Sequence, residues 1–464
     1  MPTWSDAQGQ PMVAASRESA GRFDLAVGAY LGARLDLPDR LAALLRDDPA
    51  CVMGHCLDGY VHLLSSKRTG IRRAAAALGH AEAAAAGAAT VTARERSHLG
   101  ALAAWAGGDM PEAVRCWDAA LVAGARDVVA LKVSQFVLSY LGESERMCET
   151  VARVLPSWHA GVPGYGFVLG CDAYALEETG DYARAEAQGR RAVELNPGDI
   201  WAAHAVAHVA EMQGRPHDGA TWISSVAGHW GRCNNFRFHL RWHEALFHLD
   251  LERHARVLEL YDREIRPESS DEYLDLTNAV SLLWRLEQAG VDVGPRWREL
   301  ADRARGHVDD HALVFADLHY LMALAAVSDT EAIIQFMGSC EEFAAAGRGT
   351  QAVVMAEVGL PLARAVLAHR RGSHDDVVEL VVPVYRQIRS IGGSHAQRDL
   401  FDQLLIDAAI RGRRLDIAAE LLAERTARRP HNIWGWKAYA ATLDALGAGG
   451  AAAAHRRLEQ LRTA

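Results

Sequence analysis

The chain has 464 residues, half of them apolar, and a formal charge of −10. That apolar content can bury a large core and excludes a disordered chain. The acidic balance, without a basic run, argues against a nucleic-acid backbone as partner, which needs clustered cations.

Residues 1–15 read as a flexible N-terminus. They lack the charged start and apolar core of a signal peptide, and no apolar run in the chain approaches about 18 residues without charge, so no membrane span is expected. From residue 16 onward, helix-length segments alternate with short breaks marked by Gly-Asp, Gly-Arg or Asn-Pro, and strand-like alternation is absent. Divergent, Ala-rich copies occupy 16–160, with first-of-pair helices near 47–64, 91–106 and 127–141 and a second-of-pair helix at 109–123. A better-formed core spans 161–411. Its clearest unit is 180–197, GDYARAEAQGRRAVELNP. Gly180 ends one helix, Ala185 and Ala192 lie two turns apart where a neighbour can approach closely, and Pro197 stops the second helix; this matches half of a tetratricopeptide unit. The same phase puts first-of-pair helices at 161–179, 199–213, 235–250, 271–289, 310–326, 349–370 and 395–411. Second-of-pair helices include 216–229 and 374–390. Residues 412–464, with a helix at 431–446, cap the array. The expected fold is all-α: a tetratricopeptide-like α-solenoid of about ten helix pairs, single from 16 to 464, curved with a concave groove.

Seven cysteines, odd in number and without a CxxC pair, fit reduced thiols in a cytoplasmic protein.

One band of histidines and acids repeats with the structural unit. His204, His208 and Glu211 share a helix face at i, i+4 and i+7. His239 and His243 follow 35 residues after His204 and His208. Asp275 lies 36 residues after His239, with Asn278 nearby, and His311 a further 36 on, flanked by Asp310 and His319. Equivalent positions on stacked helices are neighbours, about 10 Å apart axis to axis, so these residues are expected to cluster. Farther along, Glu357, His395, Arg398, Asp399 and Asp402 continue on first-of-pair helices and would face His204 if the solenoid curls tightly.

Three chemistries fit such a band. A divalent metal could be held by His204, His208, His239 and His243, with Glu211 as a further donor. The zincin motif is absent, because His243-Glu244 is followed by His248, which a helix rotates off the face. Acid–base or hydrolytic catalysis could instead use His208, His243, Glu211 and Asp310. Ligand binding would then fall to His204, His239, Asp275, His311, His319, Arg398 and Asp399, Arg398 holding an anionic group bidentately. The third reading is recognition alone, of a small polar or anionic ligand or of a peptide or partner protein along the groove. No GxSxG occurs, and the Gly-rich 161–166 stretch lacks the Gly-Lys-Ser/Thr of a phosphate loop and reads as a helix-start turn. Self-association into a homo-oligomer is left open.

Long stretches resemble the tetratricopeptide repeat protein 38 family: HAVAHVAEMQGR (204–215), FHLRWHEALFHLDL (238–251), LYDREIRP (260–267), DHALVFADLHYLMAL (310–324), VGLPLARA (358–365) and GGSHAQRDLFDQLLIDAA (392–409). The resemblance covers about 160–410. It implies a tetratricopeptide-like fold with a concave surface lined by first-of-pair helices. It also implies that His204, His208, Glu211, His239, His243, Asp310, His311, His319, Gln397, Arg398 and Asp399 are signature positions. At 395 it leads one to expect Asn where this chain has His. It implies no particular reaction. The sequence therefore points to a helical-repeat protein with a His/Asp/Glu/Arg-lined pocket for a small polar or anionic ligand, the scaffold reading standing as the alternative.

Overall fold

A computed structural model describes residues 2–463. The Gly-Asp-Tyr break at 180–182 sets the pattern for the rest. Gly180 adopts φ +87, which favours glycine, and the Asp181 side chain accepts from the Arg184 backbone N–H to cap Tyr182–Leu195. Ala185 and Ala192 are fully buried against the preceding helix. Asp109, Asp127, Asp199 and Asp329 cap four other helices in the same way. Thr92 with Glu95 and Ser394 with Gln397 form reciprocal capping boxes.

The result is an all-α solenoid of tetratricopeptide-like helix pairs. The first-of-pair helices include Val52–Leu64, Ala93–Ala106, Val128–Leu141, Tyr165–Glu178, Ile200–Met212, Phe236–Asp250, Tyr273–Gln288, Val314–Ala326, His395–Arg411 and Ile433–Leu446. The stretch 350–370 is one such helix interrupted by a π-helical turn at Met355–Gly359. All thirteen residues of Ile200–Met212 are buried. A helix apolar nearly all round, as this one and Val314–Ala326 are, belongs inside. Second-of-pair helices form the outer layer. They approach closely where side chains are small: a Cβ on Gly219 would lie 2.2 Å from the Phe247 ring.

The N-terminal segment departs from expectation. Thr3–Ser5 and Pro11–Val13 pair as an antiparallel hairpin where 1–15 reads as flexible. Asp6 holds the turn by accepting from the backbone N–H groups of Gln8 and Gln10, and the Val13 N–H donates to Glu95 at 2.8 Å. Two helices, Arg17–Leu31 and Leu37–Asp47, then precede the first copy that the punctuation marks.

Successive turns of the array touch. Lys67 pairs with Glu272 at 3.0 Å, the Arg68 N–H donates to Asp310, the His395 N–H donates to Glu178 at 2.9 Å, and His431 Nδ1 donates to the Gln213 carbonyl at 2.8 Å. These contacts join residues 205 to 242 apart in sequence. The helix His395–Arg411 runs through the interior, where Arg285 donates to its Ala396 carbonyl. The concave side is thus filled rather than left as an open groove. One stretch among the described residues, Thr350–Arg370, is long and apolar enough by length and composition to cross a bilayer, but it carries Glu357 and Arg364, and 61% of its apolar window is buried within the protein, as in a core helix.

Candidate functional site

The four band histidines meet. His204 and His208 point from Ile200–Met212, His239 and His243 from Phe236–Asp250, and none is more than 2% exposed. Ring centroids are 4.2 Å apart for His204–His208, 4.6 Å for His208–His243 and 4.8 Å for both His204–His239 and His239–His243. One ring nitrogen from each lies within 4.8 Å of the others. The 35-residue step works because it returns the chain to the same face of the next stacked helix. Trp242 stacks on His239, and its indole N–H donates to Ser281, closing one side.

Acids and an amide stand behind the rings. His208 Nδ1 donates to Glu177 at 3.1 Å, His243 Nδ1 to Glu211 at 2.9 Å and His239 Nδ1 to Asn278 Oδ1 at 3.0 Å. Burial, reinforced by neighbouring imidazoles, holds His204, His239 and His243 well below the usual histidine range. For His208, burial pulls the same way but is outweighed by Glu177 and the other carboxylates, and the ring is pushed up. Burial also raises Glu211.

The band does not continue as the repeat step suggests. Asp275 sits in the first turn of Tyr273–Gln288 and accepts from the Asn235 side chain at 3.1 Å, away from the rings; Asn278, one turn on, meets His239 instead. Burial pushes Asp275 up to about 6. Asp310 and His311 precede their helix, which starts at Val314 rather than at 310. Asp310 pairs with His307 and accepts from the Arg68 backbone, fastening two turns of the array. His311, at φ +46, contacts Ser339, Asp317 and the Phe343 ring. His319 is fully buried, donates to the Phe315 carbonyl at 2.7 Å and packs on Phe401, held by burial down to about 3. These four residues do not join the cluster. Gln397 and Ser394 serve as the capping box. Cys233 is a buried thiol raised by that burial, not an activated nucleophile.

The tight curl does bring Arg398 and Asp399 to the far side of the band. Glu178, beside Glu177, accepts from the His395 backbone and from Arg398 at 3.3 Å. Asp399 accepts a bidentate pair from Arg425, and Arg429 lies 3.7 Å from Glu211 and 3.6 Å from Asp399. Burial would raise Asp399, but Arg425 and Arg429 hold it well below the carboxylate range. These arginines end the helix Leu415–Arg428, where cations complement the helix dipole. They wall a pocket of about 180 Å³ with Arg389, Arg398 and Arg428, and the carboxylates Asp399, Asp402 and Glu424 line it too. Arg428 is only 3.9 Å from its nearest carboxylates, Asp402 and Glu424, and Arg389 makes no ion pair among the described residues. Glu178 and Glu211 stand between pocket and histidines, each touching one arginine of the pocket wall.

Glu177, Glu178, Arg425 and Arg429 are absent from the sequence-based set. Two of the acids carry a readable signal: Glu177 precedes His208 by 31 residues and Glu211 precedes His243 by 32, acid-to-imidazole steps that differ by one residue and recur one repeat apart. The arginines carry none, since their place depends on curvature.

Asp199, which caps the histidine-bearing helix, gives a pH test. Its carboxyl is fully buried, and burial raises it to about 6. A folded-state value above the unfolded one means that the native state binds the proton more tightly. Stability is therefore fullest below the unfolded value and is lost as pH rises through about 6. Asp199→Asn retains a cap acceptor without this titration. Relative to wild type, it is expected to gain about 2–3 kcal/mol between pH 4 and pH 7, read by urea unfolding at both pH values.

No family model matches the chain. Among solved structures it is similar to the human IFIT1 dimer with PPP-AAAA, at 13% identity and a TM-score of 0.41, covering 89% of this chain and 91% of that one. It is also similar to Naa15/Naa10 bound to HypK-THB, at 13% identity and 0.25, covering 96% of this chain and 63% of that one. A third is the P58(IPK) TPR domain, at 12% and 0.23, covering 80% and 98%.

Proposed function

We propose that this chain is a helical-repeat binding protein that takes a small anionic ligand in the arginine-walled pocket. The histidine–carboxylate centre behind Glu178 and Glu211 would be the seat of any acid–base or hydrolytic chemistry. The observation that carries this reading is the pocket itself: five arginines line it, Arg389 without an ion pair among the described residues, Arg428 3.9 Å from Asp402 and Glu424, and Arg398, Arg425 and Arg429 buried. Guanidinium groups bind carboxylate and phosphate oxygens in planar, paired fashion. The filled concave side favours a small ligand over a peptide laid along a groove. Residues 16–464 act as one unit in this reading, since pocket and histidines draw on helices from 165 to 429. The likeness to the tetratricopeptide repeat protein 38 family, and a reducing, cytoplasmic setting for seven unpaired thiols, belong to the same proposal.

Thermal shift and calorimetry with phosphate, phosphomonoesters, dicarboxylates, an acidic peptide and a short RNA test it. Small anions are expected to raise the melting temperature by mass action. Arg428→Ala or Arg389→Ala should weaken the best of them about 10–100-fold, the value of one charge-assisted hydrogen bond. Response to the peptide or the RNA alone would replace this reading with a scaffold or a nucleic-acid binder.

A further inference from the structure

The partners of the buried imidazoles fix where their lone pairs point. A carboxylate only accepts, so His208 and His243 each carry hydrogen on Nδ1, facing Glu177 and Glu211, and in the neutral ring the lone pair is on Nε2. Neither Nε2 has a partner. His239 repeats the arrangement: Nδ1 faces the Asn278 carbonyl oxygen, and Nε2 lies 2.9 Å from Nε2 of His204. Lone pairs thus converge on one dry point, and each unsatisfied polar atom there costs about 1–3 kcal/mol. A water molecule could donate to two of them. A cation could accept all four once His204, whose Nε2–H now donates to His239, moves its hydrogen to the unpartnered Nδ1.

Charge permits it. Glu177 stands just behind the rings, and Glu211 and Glu178 face Arg429 and Arg398. A divalent ion would add positive charge beside three buried carboxylates, two of which already face an arginine.

We propose that His204, His208, His239 and His243 ligate one divalent first-row metal ion through Nε2, with Glu177, Glu211 and Asn278 as positioning residues. An all-imidazole set suits zinc, copper, nickel or ferrous iron and is poor for the oxygen-seeking magnesium and calcium. Metal–nitrogen bonds of about 2.0–2.1 Å place tetrahedral nitrogens about 3.4 Å apart. The ring nitrogens now span from 2.9 Å to at most 4.8 Å, so small ring rotations complete the site. The hydrogen bonds from Nδ1 to carboxylate or amide are the outer supports that such ligands ordinarily have. The site stands independently of the arginine pocket, and failure of anion binding leaves it intact.

The test uses the full chain without an affinity tag, stripped by chelator and titrated with zinc and with cobalt(II). The expected result is one equivalent retained through gel filtration, a higher melting temperature and a visible cobalt spectrum without thiolate charge transfer. Glu211→Gln should weaken binding about 10–100-fold, and His204→Gln and His243→Gln should weaken it more. His311→Gln, outside the cluster, should bind as wild type. Substoichiometric metal on the folded wild-type chain, a thiolate-bearing cobalt spectrum, or wild-type affinity in folded His204→Gln and His243→Gln would each overturn the proposal. Should the glutamine variants fail to fold, the stoichiometry and cobalt spectrum of the wild-type chain decide alone.

Discussion

Asp127→Ala is expected to destabilise the chain by about 3–5 kcal/mol, the cost of breaking a buried ion pair from one side. Asp127 accepts from Arg94 at 2.8 and 3.2 Å and from His98 Nε2 at 2.9 Å, and caps its own helix through the Ala130 N–H. Arg94 continues to Asp6 at 2.7 Å, in the turn of the N-terminal hairpin. His98 continues to Tyr60, whose hydroxyl accepts from the Trp117 indole. Alanine leaves Arg94 buried with half its acceptors and loosens a network that ties the hairpin to four helices. The pH dependence supplies an internal check. Burial would raise the Asp127 carboxyl, but Arg94 and His98 outweigh it and hold it well below the ordinary carboxylate range. A depressed folded-state value means stabilisation that is full above the unfolded value, about 3.9, and lost as pH falls below it. Urea unfolding at pH 7 and pH 3 should show the gap between wild type and Asp127→Ala narrowing in acid. A gap that widens contradicts the assignment.

Glu178→Ala is expected to cost about 2–4 kcal/mol, toward the lower end for buried pairs because Arg398 borders the pocket and can recruit water. Glu178 receives both the His395 backbone N–H and the Arg398 side chain, joining helices 217 residues apart. Burial would raise its carboxyl; His395, Arg398 and His208 outweigh that and lower it. Glu178→Gln keeps an acceptor for the backbone N–H and should lose less. Thermal melts of the two variants separate the hydrogen bond from the charge. Equal losses would mean that the charge, not the backbone contact, holds the interior helix in place.

Local punctuation carried most of the architecture. Gly-Asp breaks and aspartate caps mark where helices start, and residues such as Asp181 and Asp199 perform that task whatever the rest of the chain does. The meeting of His204, His208, His239 and His243 was equally legible, because a 35-residue step places side chains on facing positions of adjacent helices. Extending that step failed for particular reasons. Asp275 falls in a first turn, where the neighbouring Asn235 claims it, and His311 falls before its helix begins. The step marks neighbours only when both residues lie well inside their helices. Arg425 and Arg429 reach Asp399 and Glu211 through curvature accumulated over many repeats, which no local pattern records. The hairpin at 3–13 was hidden for another reason. Its strands have three residues each, too short for an alternation to register, and Asp6 and Glu95 hold it from outside the strands.

The contacts that fasten one turn of the array to the next also fix its length. An open solenoid can gain or lose a helix pair and remain a solenoid. Here Lys67 meets Glu272, Glu178 meets His395 and Gln213 meets His431. Inserting one pair between any of these partners would slide every later meeting by a full repeat and set each side chain against the wrong neighbour. The number of repeats is therefore constrained as strand number is in a closed barrel, by the geometry of returning to the start. Evolution of such a chain can change what its walls carry far more readily than how many walls it has.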